Sequence, residues 1–235
     1  VSVLRRLADR RNPHSLSAYF RRRRSRHLLA LLATVPRPFT ILDVGGEAVF
    51  WEHVAAGDGV SVVMLNNDRP EHAPESPRLS FIEGDARDLS RFGDRSFDVV
   101  VSNSVIEHVG RRADQQRMAD EIRRVARRYY VQTPNRWFPV DPHYLVPFFH
   151  LLPRTIRVWT LMRFNVGWLT KTGNRATAEA LDDTIELLTP RQFAALFPEA
   201  SMWRERFLGL TKSMVSFHGW SASNARNRSG SSVGS

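Results

Sequence analysis

The stretch Phe39-Thr40-Ile41-Leu42-Asp43-Val44-Gly45-Gly46-Glu47 decides the fold. An apolar run ends in an acid, and two glycines follow at once. Such a run fits a strand buried in a parallel sheet. Gly45 and Gly46 fit a tight turn where the backbone comes close to a ligand. Residues 48–56 read as a helix, which puts the turn at a helix N-terminus. Strand, glycine turn and helix in that order are the layout of a nucleotide-binding α/β domain.

Further pieces follow at the right distances. Val60 to Leu65 reads as a second buried strand, ending in Asn66-Asn67-Asp68. That polar end lies roughly twenty residues beyond Asp43, where such folds place a ribose-binding side chain. A carboxylate accepts from both ribose hydroxyls, whereas an Asn bonds more weakly. Either Asn66 fills the role or Asp68 reaches back. Leu79 to Glu83 reads as a third strand, closed by Gly84-Asp85-Ala86. Asp85 could accept from an exocyclic adenine amine; equally, it could cap a short helix containing Leu89. Phe97 to Val101 is a fourth strand, and it delivers Ser102-Asn103-Ser104-Val105-Ile106-Glu107-His108-Val109 into the same crevice. Gln115 to Arg127 is an amphipathic helix with Met118, Ile122 and Val125 inward. Tyr129 to Thr133 is a fifth strand, and Pro134 stops it. Strands alternating with helices in this way predict a doubly wound α/β sheet.

The flanks differ from this rhythm. Residues 1–36 read as a basic N-terminal helical region, with Leu16, Phe20, His27, Leu28, Leu31 and Leu32 along one face. Arg21 to Arg24, with Arg26, put a positive patch beside it. That patch suits phosphate or an anionic membrane surface; the plainer reading, favoured here, is a solvated helix covering one edge of the core. Residues 134–188 are rich in aromatics, prolines and basic side chains. They are too long for a simple connection and predict a helical lid over the crevice. An oligomer interface or a membrane-facing patch would suit the same aromatics. Thr189-Pro190 starts a helix, with Thr as N-cap. Met202 to Leu208 and Leu210 to Phe217 read as two last strands turning near Gly209. The main domain is thus 37–220, and the polar tail 221–235 is expected to be disordered.

Composition bounds the chemistry. The chain has 235 residues, enough for one domain with an insertion. It has no cysteine, which excludes disulfides, zinc–thiolate sites and cysteine nucleophiles. No metal-ligand set is read from the sequence. No apolar run reaches membrane-span length, and the basic N-terminus lacks a signal-peptide core. A cytoplasmic or membrane-peripheral location is expected. The net charge of +10 favours anionic partners.

At this point the chain resembles the class I S-adenosylmethionine-dependent methyltransferases, and within them the type 11 group. The resemblance covers roughly Phe39 to Phe217. It is carried by Ile41-Leu42-Asp43-Val44-Gly45-Gly46, by Gly84-Asp85-Ala86, and by Phe97-Asp98-Val99-Val100 with Ser104-Val105-Ile106-Glu107-His108-Val109. It implies a Rossmann-like sheet of seven strands, mostly parallel, with the last antiparallel. It implies S-adenosyl-L-methionine as cofactor. The glycine turn, Val44 to Glu47, would approach the methionine moiety, with Asp43 near its amino group. Asn66 or Asp68 would take the ribose, and Gly84, Asp85 and Ala86 the adenine edge. Asn103, Ser104 and Val105 would lie beside the methionine part. The chain departs from the family where it carries Glu47, Val49 and Asn66.

Methyl transfer to oxygen needs a base. His108 is the first candidate, and His143 with Asp141 the second. The loop Asn103-Ser104-Val105-Ile106 lacks the proline–aromatic pair of an adenine-amine methyltransferase, so nucleic acid becomes a less favoured substrate. The expectation is O-methylation of a small-molecule, glycan or lipid-linked hydroxyl. A non-catalytic module on the same fold and an RNA-directed methyltransferase are the alternatives.

Overall fold

The computed structural model describes residues 12–46, 48, 50, 51, 59–68 and 78–220. The expected tail, Glu47, Val49 and most of the expected helix 48–56 lie outside the described residues; Ala48, Phe50 and Trp51 are helical. The strands are β1 (Phe39–Val44), β2 (Val60–Asn66), β3 (Leu79–Glu83), β4 (Val99–Asn103), β5 (Tyr129–Pro134), β6 (Ser201–Phe207) and β7 (Leu210–His218). They form one sheet in the order β3-β2-β1-β4-β5-β7-β6. The first five are parallel, and β7 runs antiparallel to both β5 and β6. Leu42 sits level with Val63 on one side and Val100 on the other. The chain leaves β1 towards β2 and β3, then returns to lay β4 on its other flank. That reversal opens a crevice at the carboxyl ends of β1 and β4.

The apolar runs are continuous because both faces are covered. On one face Leu42, Val100 and Val131 pack against Met118, Ile122 and Val125 of helix α2 (Arg112–Val125) and Phe193 of α5 (Pro190–Leu196). On the other, Ile41, Val62 and Val99 meet Trp51 and Leu28, Leu31 and Leu32 of α1 (Leu16–Leu32). Ser15 caps α1 by accepting from the Ala18 N–H at 3.0 Å. Thr189 caps α5, with Pro190 inside the first turn, as the sequence predicts.

Some boundaries shift. The fourth strand begins at Val99, not Phe97, because the Asp98 carboxylate turns aside to accept from the Thr40 N–H at 2.9 Å. Helix α2 begins at Arg112, ahead of the expected Gln115, because Asp114 accepts from the Arg111 N–H at 2.9 Å. It stops at Val125, whose carbonyl receives the Phe97 N–H. No helix forms over Leu89; Ala86, Arg87 and Ser90 are in turns, and Asp88 and Leu89 have no regular structure.

The arginine run largely serves the fold. Arg24 reaches inward to Glu205 on β6 at 2.8 Å, and that carboxylate is fully buried. Arg23 lies over the Trp203 ring at 5.4 Å. Arg22 donates to the Pro13 carbonyl at 2.6 Å. This agrees with a helix that covers the core's edge. Arg24→Met would leave Glu205 with only the Ser213 hydroxyl and a distant Lys212. Breaking a buried pair from one side costs about 3 kcal/mol or more. A lowered urea midpoint is expected; an unchanged one would make Arg24 an ordinary surface charge.

His27 packs among the rings of Tyr130, Trp203 and Phe217. Burial, and then Arg23, lower its pKa from 6.5 to about 4. The unfolded chain therefore binds a proton here before the folded one does. Stability is full above pH 6.5 and falls as pH drops towards 4, by up to about 3 kcal/mol. His27→Phe should flatten that part of the stability profile, measured by urea unfolding between pH 7 and pH 4.

The insertion after β5 is a closed excursion. Asn135 and Leu188 form a bridge, and the Arg136 N–H donates to the Leu188 carbonyl at 3.0 Å, so it leaves and returns at one point. It holds a 3-10 turn (Phe149–Leu151), α3 (Arg154–Arg163) and α4 (Arg175–Asp183). Tyr144, Phe149, Val158, Leu161, Val166 and Ala178 give it a core of its own. Arg157 clamps α3 to α4 through two bonds to buried Asp182, at 2.6 and 2.7 Å. Among the described residues no helix is long and apolar enough to cross a membrane.

Candidate active site

A cavity of about 260 Å³ opens at the carboxyl rim where the strand order reverses. Val44, Gly45, Asn66, Gly84, Asp85, Ala86, Val105 and His108, all singled out in the sequence, line it. So do Leu65, Asn67, Arg87, Val109 and Gly110, to which the sequence assigned no role in binding. A larger cavity of about 660 Å³ lies at the opposite end of the sheet, walled by Arg95, Asp98, Arg127 and Glu199. It is remote from the strand-order reversal, where open α/β sheets bind their ligands.

The glycine turn is built for close approach. Gly45 has φ +79°, and a Cβ there would collide with Val105 of the facing loop. A Cβ on Gly46 would collide with the Asp43 carboxylate. Asp43 itself is buried, and its Oδ2 accepts from the indole N–H of fully buried Trp51. Asp43 therefore stands behind the turn and sets its shape, off the cavity wall.

Asn66 Nδ2 donates to the Gly46 carbonyl at 3.1 Å. A carbonyl only accepts, so this bond fixes the amide's orientation and leaves Oδ1 as the atom able to accept from a ribose hydroxyl. Asp68 is exposed and away from the lining, so of the two ribose candidates the structure brings Asn66 to the cavity. Asp85 does not cap a helix. Its carboxylate accepts from the Arg87 backbone N–H at 2.8 Å and is forked by the Arg87 guanidinium at 2.6 to 2.9 Å. That hydrogen bonding holds its pKa below the usual range. An adenine amine would share the carboxylate with Arg87. Asn103 and Ser104 lie off the lining; Ser104 adopts φ +59° and donates to Gln132 Oε1 at 2.9 Å. The turn, the Asn66 acceptor and the Gly84–Ala86 edge fit an adenosyl ligand.

At the cavity's edge the two histidine candidates prove to be one group. Asp141 Oδ1 stands 3.0 Å from His143 Nδ1, and His143 Nε2 stands 3.1 Å from His108 Nε2. His108 Nδ1 stands 3.1 Å from the Thr184 carbonyl. Asp141 also accepts from the backbone N–H groups of His143 and Tyr144. Insertion and sheet rim thus meet through these rings. Gln115 holds the loop in place by donating to the carbonyls of Ile106 and Glu186, at 3.1 and 2.7 Å. Burial, and then His143, lower the pKa of His108.

Glu107 was not among the sequence-read site residues. It is fully buried beside His108, and burial pushes its carboxyl up to about 7. Oε2 accepts from the Thr133 hydroxyl at 3.0 Å; Oε1 has no hydrogen-bond partner among the described residues. The signal available in the sequence was an acid next to a histidine in a loop leaving a buried strand.

Residues 48–129 match the family model of a methyltransferase domain. No curated protein matches the chain. Solved structures that resemble it include the PH0226 protein of Pyrococcus horikoshii, at 17% identity and TM-score 0.54, covering 85% of this chain and 89% of that one. A protein described as a methyltransferase of an antibiotic biosynthesis pathway in Anabaena variabilis aligns at 17% identity and TM-score 0.51, over 78% of this chain. This chain spans only 64% of that protein's length. The N-terminal domain of EvdMO1 with SAH bound aligns at 16% identity and TM-score 0.50, covering 83% of this chain and 79% of that one. At such identities these likenesses speak to the fold. Family match, strand order and glycine cradle agree: residues 48–129 carry a methyltransferase domain on a Rossmann-like methyltransferase sheet, and S-adenosylmethionine is the cofactor such a domain uses.

Proposed function

We propose that the protein methylates a hydroxyl oxygen on a small-molecule, glycan or lipid-linked acceptor. The observation that carries this reading is the His108–His143–Asp141 group at the edge of the cofactor cavity. The bound sulfonium supplies an activated methyl group. In the step itself the carbon–sulfur bond breaks and its electron pair stays on sulfur. An oxygen lone pair forms the new O–C bond, and the hydroxyl proton passes to solvent. The two imidazoles and Asp141 act as one unit that promotes that ionisation. The insertion holds His143 in place and helps keep water from the reacting atoms.

A lipid-linked acceptor gains support from the outer face of α3. Ile156 and Trp159 lie three residues apart on the helix and are exposed, with Leu152 exposed just ahead of it and Arg163 stacked on Trp159 at 5.0 Å. An apolar stripe with a basic end suits the boundary of an anionic membrane. The RNA reading loses support because Arg22, Arg23 and Arg24 are engaged by their own fold.

The test has two parts. Calorimetry should show S-adenosylmethionine binding, and a cell-extract metabolite should gain one methyl mass when protein and cofactor are added. Absence of any binding heat would favour the non-catalytic module, a reading the Arg87-occupied Asp85 and the Asn66 substitution already make concrete. Transfer to an amine would overturn the oxygen assignment.

A further inference from the structure

We infer that Glu107, His108 and His143 form a binding site for one divalent transition-metal ion at the acceptor end of the cavity. His108 Nδ1 faces the Thr184 carbonyl, which can only accept, so Nδ1 carries the hydrogen. His143 Nδ1 faces the Asp141 carboxylate, already an acceptor for two backbone N–H groups, so it too carries the hydrogen. Where both rings are neutral, the two Nε2 atoms face each other 3.1 Å apart with a lone pair each. Two lone pairs at that distance repel. Something positive belongs between them.

A shared proton would reconcile the two nitrogens. It would do nothing for Glu107, whose side chain is fully buried with Oε1 unpartnered among the described residues. One ligand atom from each of Glu107, His108 and His143 lies within 4.8 Å of the others. A divalent cation satisfies all three at once. The surroundings match what metal-bound histidines need: each ring's other nitrogen is anchored, one by a carboxylate and one by a carbonyl. Thr133 steadies the glutamate at 3.0 Å.

The donor set indicates the ion. Two imidazoles and one carboxylate suit zinc or manganese better than magnesium or calcium, which prefer oxygen throughout. Three protein ligands leave a position open, as in catalytic rather than structural sites. His108 also lines the cofactor cavity, so the open position lies on that side. Resting on the hydroxyl-methylation reading, this position takes the acceptor oxygen and makes its proton easier to lose to solvent.

The experiment uses the full chain, stripped with a chelator and dialysed. Zinc and manganese chlorides are titrated in by calorimetry, with magnesium as comparison, and bound metal is counted by elemental analysis. One ion per chain is expected, with magnesium weaker by at least about tenfold. His143→Ala and Glu107→Gln should each abolish the site, and Asp141→Asn should weaken it about 10- to 100-fold. If Glu107→Gln does not fold, as judged by circular dichroism, the partly exposed His143 carries the test. Wild-type protein that takes up no ion, or variants that bind it equally, would overturn the site. The two proposals fail separately. Metal bound without methylation sinks the acceptor assignment alone; methylation at full rate by metal-free protein sinks the metal alone.

Discussion

Gly46→Ala is expected to weaken S-adenosylmethionine binding by at least about 100-fold, roughly 3 kcal/mol. The new methyl group would land on the Asp43 carboxylate. That carboxylate has little freedom to retreat, because it is buried and tied to the indole of Trp51, itself wholly enclosed in the core. Two responses remain. Asp43 can swing away and strand the Trp51 donor, at about 1–3 kcal/mol. Otherwise the turn moves outward into the space the cofactor needs. Either outcome registers, the first as a lowered melting temperature and the second as lost binding heat. Gly93→Ala is the control, since a Cβ there meets nothing within 4 Å. A Gly46→Ala protein that binds and melts like the wild type would remove the glycine turn from the cofactor site.

Those residues also show how far the sequence reaches. Strand β1, its glycines and the parallel order were legible because a strand covered on both faces must be apolar along its whole length. The cap of α5 was legible because Thr189-Pro190 has a local reason to start a helix. The role of Asp43 was not. Its partner, Trp51, lies beyond the turn, and nothing in the spacing distinguishes an acid that touches ligand from one that supports the backbone behind it. Asp85 was similar: only coordinates show that Arg87, two residues on, forks its carboxylate. His108 and His143 were each picked out singly. Their union depends on how the insertion folds back, and that is set by Asn135 meeting Leu188, a contact between residues far apart in the chain. Glu107 escaped notice because burial turns an ordinary acid into an informative one, and burial is a property of the fold.

The union of the histidines leads to the second large effect. His108→Ala and His143→Ala should each lower turnover by about 10²- to 10⁴-fold, the usual range for losing a group that promotes ionisation of the acceptor in the transition state. Cofactor affinity should stay within a few-fold, because the turn, Asn66 and the Gly84–Ala86 edge are untouched. The double variant distinguishes a unit from two separate helpers. Independent residues would multiply their losses, whereas parts of one unit fail together. His143 meets His108 at 3.1 Å, and His108 alone lacks the carboxylate held behind its partner. The double variant should therefore be no slower than the worse single one. Asp141→Asn should fall along the same line, since among the described residues Asp141 meets the site through His143 and through the backbone N–H groups that seat that ring. Multiplicative losses in the double variant would mean that the two rings act at different points of the acceptor, and full activity in both single variants would take the proton chemistry away from this edge of the cavity.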